Sequence, residues 1–170
     1  MNTTIKDILN RRSVKKFNDL SLKREDIELI VRCGIDSPTA KNLQKRKFTI
    51  IQGENMEKLE KAIGKTLEIH KYNFYNADAM VIVSVDRDIE MGEIDTATAM
   101  QNMMIASTSL EIGSCWINQL RGICDDRDIR GLLNDFNIPE NHLVYGMLAL
   151  GNYDQYPKAK ERREVFEFID

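Results

Sequence analysis

The chain has 170 residues, 42% of them hydrophobic and 30% charged, and its 27 acidic and 24 basic side chains give a net charge of −3. This composition predicts one folded domain over residues 1–170. A domain of this size buries about 70% of the surface of its unfolded chain, so it needs neither a metal nor a disulfide to hold a core. The acidic balance argues against a nucleic-acid-binding protein, which usually has a basic excess. The longest run without charge, residues 96–110, is too short to cross a membrane. We expect neither nucleic acid nor a membrane as a partner.

Few side chains are available for soft metal coordination or for a Cys-His site. The three cysteines are odd in number and form no C-x-x-C pair, and the two histidines stand at no zinc spacing: Cys33, Cys115, Cys124, His70 and His142. We expect His70 on a helix and His142 in a loop, each in a surface or capping role. The first ten residues do not resemble a secretory signal. We therefore expect reduced thiols, no metal site and a cytoplasmic protein.

Hydrophobic periodicity predicts alternating helices and strands. In chain order they are a short helix before Arg11, a helix capped by Ser21 and ending at Gly34, a strand over 48–52, a helix over 54–70, a strand over 80–83, a helix over 94–112, a strand over 114–118, a helix over 126–134 and a strand over 143–150. The run over 80–83 is continuously apolar, which is typical of a strand covered on both faces. An α+β domain with a central sheet follows.

The helix over 94–112 is rich in Ala and Met and has little polar face, so we expect it to be buried nearly all round. A small domain has difficulty enclosing such a helix. A second copy of the chain is the favoured cover, which predicts an obligate homodimer. A central helix wrapped by its own chain is the alternative.

The tail over 153–170 is highly charged up to residue 164, after which Phe166 and Phe168 appear. An exposed tail would not retain two Phe side chains. We expect it to dock either as an edge strand or on the partner subunit.

Two basic segments could bind a phosphate. In an extended chain, Arg11, Ser13 and Lys15 project on one side, where they can form charge-assisted hydrogen bonds. The other segment lies near the end of the chain and contains Lys158, Lys160, Arg162 and Arg163. A solvated basic turn would show the same pattern in either place.

Other motifs of phosphate binding and nucleophilic catalysis are absent from the sequence. It has no G-x-G-x-x-G, no P-loop and no G-x-S-x-G elbow. The small polar loop over 37–44 could contact the edge of a planar heterocycle, although an ordinary loop has the same composition. Trp116, the only Trp, has core packing as its simplest role.

Four segments, taken in order, resemble the nitroreductase family of FMN-dependent oxidoreductases. They are R-R-S-V-K-K-F at 11–17, S-P-T-A-K-N-L-Q at 37–44, A-T-A-M-Q-N-M-M-I-A-S at 97–107 continuing to L-E-I-G-S-C-W-I-N at 110–118, and A-L-G at 149–151 followed by K-A-K-E-R at 158–162. The resemblance covers nearly the whole chain. It implies a helix-flanked sheet and a homodimer that binds two FMN molecules at its interface.

The resemblance also implies roles for individual residues. Arg11, Arg12, Ser13 and Lys15 would form the first part of the FMN site, with Lys15 near the pyrimidine end of the ring. Lys160 and Arg162 would bind the phosphate. The neighbouring subunit would contribute Pro38, Thr39, Ala40 and Asn42, whereas Trp116, Ile117 and Asn118 would lie beside the ring with a backbone N–H facing flavin N5. Because the flavin performs the redox chemistry, no catalytic side chain is expected.

By the same resemblance, the expected activity is hydride transfer from NADH or NADPH through FMN to a nitroaromatic, quinone or similar acceptor, in ping-pong turnover. Two alternatives are another flavin reaction on the same fold, either flavin-consuming or reductively dehalogenating, and a non-catalytic flavin-binding protein.

The sequence departs from the family pattern at Lys45 and Arg46, where Pro and an aromatic residue are common. Only residues 86–93 separate a central strand from the central helix, which predicts an open flavin face.

Overall fold

Five helices and a four-stranded antiparallel sheet make up the α+β fold that the computed structural model describes over residues 1–169. The helices are α1 (Thr3–Asn10), α2 (Arg24–Ile35), α3 (Glu54–Thr66), α4 (Gly92–Ser109) and α5 (Arg127–Asp135). The strands are β1 (Arg46–Gln52), β2 (Ala79–Asp86), β3 (Gly113–Ile117) and β4 (His142–Gly151), and a short 3-10 turn covers Ala40–Asn42. The strand order is β1-β2-β4-β3. The predicted fold class is confirmed.

The central strands divide the core into two apolar layers. Side chains alternate along β2, so Met80 and Ile82 join the layer that contains residues of α3 and α5. Val81 and Val83 join the layer that contains residues of α2 and α4. All four are fully buried, as the continuous apolar run predicted. Each contributes on the order of 1.5–3 kcal/mol of burial energy, which makes this sheet a rigid support for the loops at its ends.

Helix ends correct two details of the predicted elements. Ser21 is not an N-cap, because α2 begins at Arg24 and its N-cap position is Lys23; the Leu22 N–H donates to Asp78 Oδ2 at 2.9 Å. Helix α3 ends at Thr66 and not at residue 70. Glu68 is left-handed with φ 54°, and the Ile69 N–H donates back to the Gly64 carbonyl at 2.9 Å. Such a left-handed residue closes a helix.

Helix α4 is buried on one side only within the chain, so the alternative of a central helix wrapped by its own chain is wrong, and the cover by a second copy stays a prediction. Met100, Met103 and Met104 face the sheet and α2. On the other side Ile94 is 55% exposed and Gln101 is also exposed, although residues 96–110 contain no charge. Over residues 96–110 the outer side of α4 therefore carries no charge, and the exposed carboxylate of Glu93 lies in the first turn.

Two further positions differ from expectation. His142 is the first residue of β4 and not part of a loop; its Nδ1 lies 3.0 Å from Ser84 Oγ. The tail after Gly151 forms no edge strand on the sheet over its described part, up to residue 169. Phe166 and Phe168 are 86% and 83% exposed. Within residues 1–169, no helix is both long and apolar enough to traverse a bilayer.

Two glycines bring the ends of the chain together. A Cβ at Gly151 would lie 2.8 Å from Phe17 Cδ1, and one at Gly113 would lie 3.0 Å from Phe17 Cε1. Only glycine leaves room for the Phe17 ring at this end of β3 and β4. The Asn18 N–H then donates to the Asn152 carbonyl at 2.9 Å. The segment after α1 and the segment after β4 consequently run side by side.

Candidate functional site: a cationic cavity

A cavity of about 560 Å³ opens between the two ends of the chain. Its lining consists of Arg11, Arg12, Ser13, Val14, Lys15, Lys16, Gln155, Pro157, Lys158, Lys160 and Arg162. Seven of these side chains are cationic and none is acidic. In a chain with a net charge of −3, such a concentration of one sign marks a site for an anion.

The charge of the cavity is not neutralised by the protein. The ion pairs among residues 1–169 use other cations, namely Arg24, Lys58, Lys61, Lys65, Arg87, Arg121 and Arg130. No carboxylate of the described chain therefore lies within 4.0 Å of a cavity cation. Guanidinium and ammonium groups without a counter-charge are suited to a phosphate, which carries close to two negative charges.

The first basic segment is held against the edge of the sheet. The Val14 N–H donates to the Ser114 carbonyl at 2.9 Å, and Ser13 forms a parallel bridge with Ser114 of β3. Val14 and Phe17 are buried in the core, whereas Ser13 and Lys15 are exposed. Because side chains alternate along an extended chain, the buried residues fix which polar side chains face the cavity.

Most hydrogen bonds of Arg12 go to other groups of the chain, so it is less available to a ligand. Its Nη1 donates to the carbonyls of Leu9 and Arg11, both at 2.8 Å, at the C-terminal end of α1. Its backbone N–H donates to Tyr156 Oη at 2.8 Å. A cation at a helix C-terminus is favourable there, so Arg12 joins α1 to the tail, and Arg11 and Lys15 remain available to a ligand.

Cys115 is the only thiol close to the cavity cations among the described residues, and it is not prepared for nucleophilic attack. Burial raises the pKa of the Cys115 thiol, and Lys15 and Arg11 oppose that effect only partly. A thiol with a raised pKa is poorly reactive. Cys115 does not line the cavity, and the lining residues include no carboxylate, histidine or thiol, so a bound group would have to bring the chemistry.

The loop that contains Pro38, Thr39, Ala40 and Asn42 lies outside this cavity. The Ala40 N–H donates to Asp95 Oδ1 at 2.8 Å, and Thr98 Oγ1 donates to the Pro38 carbonyl at 3.0 Å. The loop is therefore fixed on the first half of α4.

Arg46, one of the two departures from the family pattern, braces this loop. Its Nη1 donates to Ser37 Oγ at 2.6 Å and to the Asp95 carbonyl at 2.7 Å, and its Nη2 donates to the Ser37 carbonyl at 3.0 Å. Burial lowers the pKa of the Arg46 guanidinium, and Asp95 opposes that shift. The other departure, Lys45, is exposed.

The third predicted piece, on β3 and just after it, also lies outside the cavity lining. The Trp116 side chain occupies the space over Gly146, where a Cβ would lie 2.7 Å from Trp116 Nε1, and that N–H has no partner in the described chain. Ile117 belongs to the core, and Asn118 is exposed with its carbonyl accepting from the Arg121 N–H at 2.8 Å.

A single protomer thus brings together six of the thirteen predicted site residues and separates the rest. The six in one cavity are Arg11, Arg12, Ser13, Lys15, Lys160 and Arg162. The others are Pro38, Thr39, Ala40, Asn42, Trp116, Ile117 and Asn118. The structure therefore describes an α+β protein with a cationic cavity between its two chain ends.

Comparison with known proteins gives the family. The sequence model of the nitroreductase family matches residues 8–152. The chain belongs to this family of oxidoreductases. Lys160 and Arg162 lie beyond the matched residues.

Individual relatives extend the match over the whole chain. A crystal structure of a nitroreductase with bound FMN from Bacteroides fragilis is 29% identical, covers 100% of both chains and has a TM-score of 0.91. An Archaeoglobus fulgidus protein, provisionally named an NADH dehydrogenase/NAD(P)H nitroreductase, is 29% identical across 100% of this chain and 93% of its own. The NADPH-flavin oxidoreductase of Vibrio harveyi is 24% identical over 95% of this chain and 70% of its own.

Proposed function

We propose that this protein is an FMN-dependent oxidoreductase that takes reducing equivalents from NADH or NADPH and passes them to nitroaromatic, quinone or similar acceptors in ping-pong turnover. The observation that carries this proposal is the cavity between the chain ends, with seven cations and no acid in its lining. Relatives whose names include FMN or NADPH support the choice of cofactor and co-substrate.

The residues of the cavity fit the phosphate of FMN. Arg11 and Arg162 can each present two N–H groups to phosphate oxygens, and Lys160 adds a point charge. The Ser13 hydroxyl supplies a further donor. These four groups come from both ends of the chain, so an anion between them would also tie the tail to the segment after α1.

The chain's own part in catalysis is to bind and orient. When bound, FMN would supply the redox chemistry, taking a hydride from NADH or NADPH at N5 and passing the electrons to the acceptor. Lys15 would place a positive charge near the pyrimidine end of the ring, where negative charge develops on reduction. Trp116, Ile117 and Asn118 would border the ring with a backbone N–H directed at N5. No side chain of the site needs to move a proton.

We also propose that the working form is a homodimer in which the partner supplies Pro38, Thr39, Ala40 and Asn42 to each site. Three observations support it: the charge-free outer side of α4 over residues 96–110, the exposed Ile5, Ile8 and Leu9 of α1, and the exposed tail, which we propose packs on the partner subunit. Apolar patches of this kind are typical of an interface. The three unpaired cysteines agree with a cytoplasmic location.

Acceptor choice should be broad. The connection from β2 to α4 spans only residues 87–91, which leaves little chain to cover a ring beside β3. We expect nitroaromatics and quinones to be reduced with similar efficiency, because a short connection offers few groups that could discriminate between them.

Three measurements test this function. The purified protein should show the absorbance spectrum of bound flavin, lose it on anaerobic titration with NADH or NADPH, and have the mass of a dimer in light scattering. Product analysis under oxygen, with and without nucleotide, separates acceptor reduction from a flavin-consuming reaction. A colourless monomer that ignores added FMN would exclude the function, and bound flavin that neither nucleotide reduces would indicate a non-catalytic flavin-binding protein.

A further inference from the structure

Lys15 is held in place by an aromatic ring and not by a carboxylate. Its Nζ lies 5.9 Å from the centre of the Tyr75 ring, within the range of a cation–π interaction. It takes part in none of the ion pairs found among residues 1–169. Tyr75 lies in the segment between α3 and β2, far from the sequence motifs that form the cavity.

The backbone of Tyr75 is fixed in an unfavourable conformation. Its φ is 61°, and that of Asn76 is 67°, so two successive residues are left-handed. A bulky aromatic residue rarely adopts this conformation, and when it does the surroundings must enforce it. Here the Tyr75 N–H donates to Asn73 Oδ1 at 2.8 Å, and the Tyr75 carbonyl accepts from the Phe17 N–H at 3.2 Å.

The bond to Phe17 links Tyr75 to the segment that carries Lys15. The Phe17 ring is in turn anchored over Gly113 and Gly151, so the position of the Tyr75 ring relative to Lys15 is set by the core. A strained residue that is held by the core and contacts a site cation points to a role in the site.

The nature of the contact decides what that role is. A carboxylate would hold the Lys15 ammonium equally well, but it would neutralise the charge that a bound anion needs. The face of a ring attracts the ammonium through its quadrupole and carries no net charge. We propose that Tyr75 is a positioning residue, which holds Lys15 at the flavin while leaving its positive charge uncompensated. The effect on the flavin rests on the proposed function; the contact itself does not.

The contact is tested first in the protein without flavin. In protein with ¹³C-labelled lysine, the ε-methylene protons of Lys15, assigned with Lys15→Gln, should show an upfield ring-current shift. Tyr75→Phe should keep this shift and Tyr75→Leu should remove it. An unshifted Lys15 signal in the native protein would overturn the proposal even if the protein binds no FMN.

The charge argument is then tested with three substitutions and the flavin midpoint potential. Tyr75→Leu should reduce the affinity for reduced relative to oxidised FMN about threefold to tenfold, which corresponds to a potential lower by about 14–30 mV for a two-electron couple. Tyr75→Glu should lower it at least as far, because a carboxylate retains Lys15 but cancels its charge. Tyr75→Phe should retain the native potential, which a purely structural role of the hydroxyl would not predict.

A double-mutant cycle excludes an indirect effect on the fold. In the background of Lys15→Gln, Tyr75→Leu should change the potential no further, because the two residues act through one interaction. Equal shifts in both backgrounds, or a native potential in Tyr75→Glu, would show that Tyr75 does not act through Lys15. Failure of every variant and of the native protein to bind FMN would instead contradict the proposed function.

Discussion

Two clusters of cations in this molecule are built in opposite ways. At one end of the sheet, Arg87 and Arg130 converge on Asp125: Arg130 Nη2 donates to Asp125 Oδ1 at 2.6 Å and to the His142 carbonyl at 3.0 Å, and Arg87 Nη2 donates to Asp125 Oδ1 at 3.1 Å. In the cavity, seven cations have no carboxylate partner in the described chain. Arg87 and Arg130 are neutralised within the chain and serve the fold, whereas Arg11 and Arg162 have no carboxylate partner in the described chain and are available to a ligand.

The largest effect is expected from removing two uncompensated cations. Arg11→Ala combined with Arg162→Ala should weaken FMN binding by about 100-fold or more, because each charged hydrogen bond contributes about 1.5–3 kcal/mol. The free energy of unfolding of the flavin-free protein should change by less than about 0.5 kcal/mol. Fluorescence titration and urea unfolding measure the two quantities.

A matched control uses two cations of α3. Lys58→Ala combined with Lys61→Ala removes the same charge from the exposed surface, where both side chains pair only with a residue one turn away. This control should bind FMN as the native protein does. Equal losses in the two double variants would mean that net charge, and not the cavity, determines affinity.

The opposite result is expected in the neutralised cluster. The Arg130 side chain is only 11% exposed, and Arg130→Met removes one of the two arginine donors to Asp125 together with the Arg130 donor to the His142 carbonyl. The free energy of unfolding should fall by about 2 kcal/mol, mostly because the largely buried arginine no longer donates to the His142 carbonyl and only slightly through the solvent-screened ion pair. The FMN affinity of the folded protein should stay unchanged, and a loss of FMN without a loss of stability would contradict the distinction between the clusters.

Arg46 combines the two roles, because it braces a loop that we propose serves the partner's site. Arg46→Met should lower the free energy of unfolding by about 2 kcal/mol, since its hydrogen bonds to Ser37 and Asp95 are lost. FMN affinity should also fall severalfold, but only in the dimer. Titration of dimer fractions isolated by size exclusion checks this, and native affinity in a destabilised dimer would exclude the loop from the site.

The smallest effect is a pH dependence of the neutralised cluster. The hydrogen bond from Arg130 holds the pKa of the Asp125 carboxyl below its usual value of 3.8, although burial opposes this, and the side chain is 55% exposed. A depressed pKa stabilises the fold above about pH 4, and that stabilisation is lost as pH falls through the folded pKa. Because solvent screens the pair, the loss should be below about 1 kcal/mol. Asp125→Asn should reduce the difference in unfolding free energy between pH 6 and pH 3.

Most of the fold follows from local sequence patterns, and the errors come from distant contacts. The apolar run of β2 and the amphipathic spacing of α3 and α5 depend only on neighbours, so periodicity identified them. Ser21 is not the cap because α2 begins only at Arg24, after a segment whose Leu22 N–H binds Asp78, a distant contact that no local pattern reveals. For α4, periodicity identified the hydrophobic surface without saying which chain covers it, so the cover by a second copy stays a prediction.

The cavity is a harder problem for sequence analysis. Each basic segment alone looks like a solvated turn, and only the resemblance to a family placed them together. Their physical convergence depends on Phe17 lying over Gly113 and Gly151, a close approach of backbone that spacing does not show. Tyr75 was not identified from the sequence for a related reason, because its position follows from a left-handed backbone. The one local signal was the neighbouring Asn76, since Asn tolerates that conformation.

The central claim is that uncompensated cations from both ends of the chain hold the phosphate of FMN. Calorimetric titration of the flavin-free protein with FMN and with riboflavin, which lacks the phosphate, tests it most directly. FMN should bind at least about 100-fold more tightly than riboflavin, given two or more charged hydrogen bonds, and the difference should shrink as salt is raised. Equal affinities for the two flavins would contradict the account.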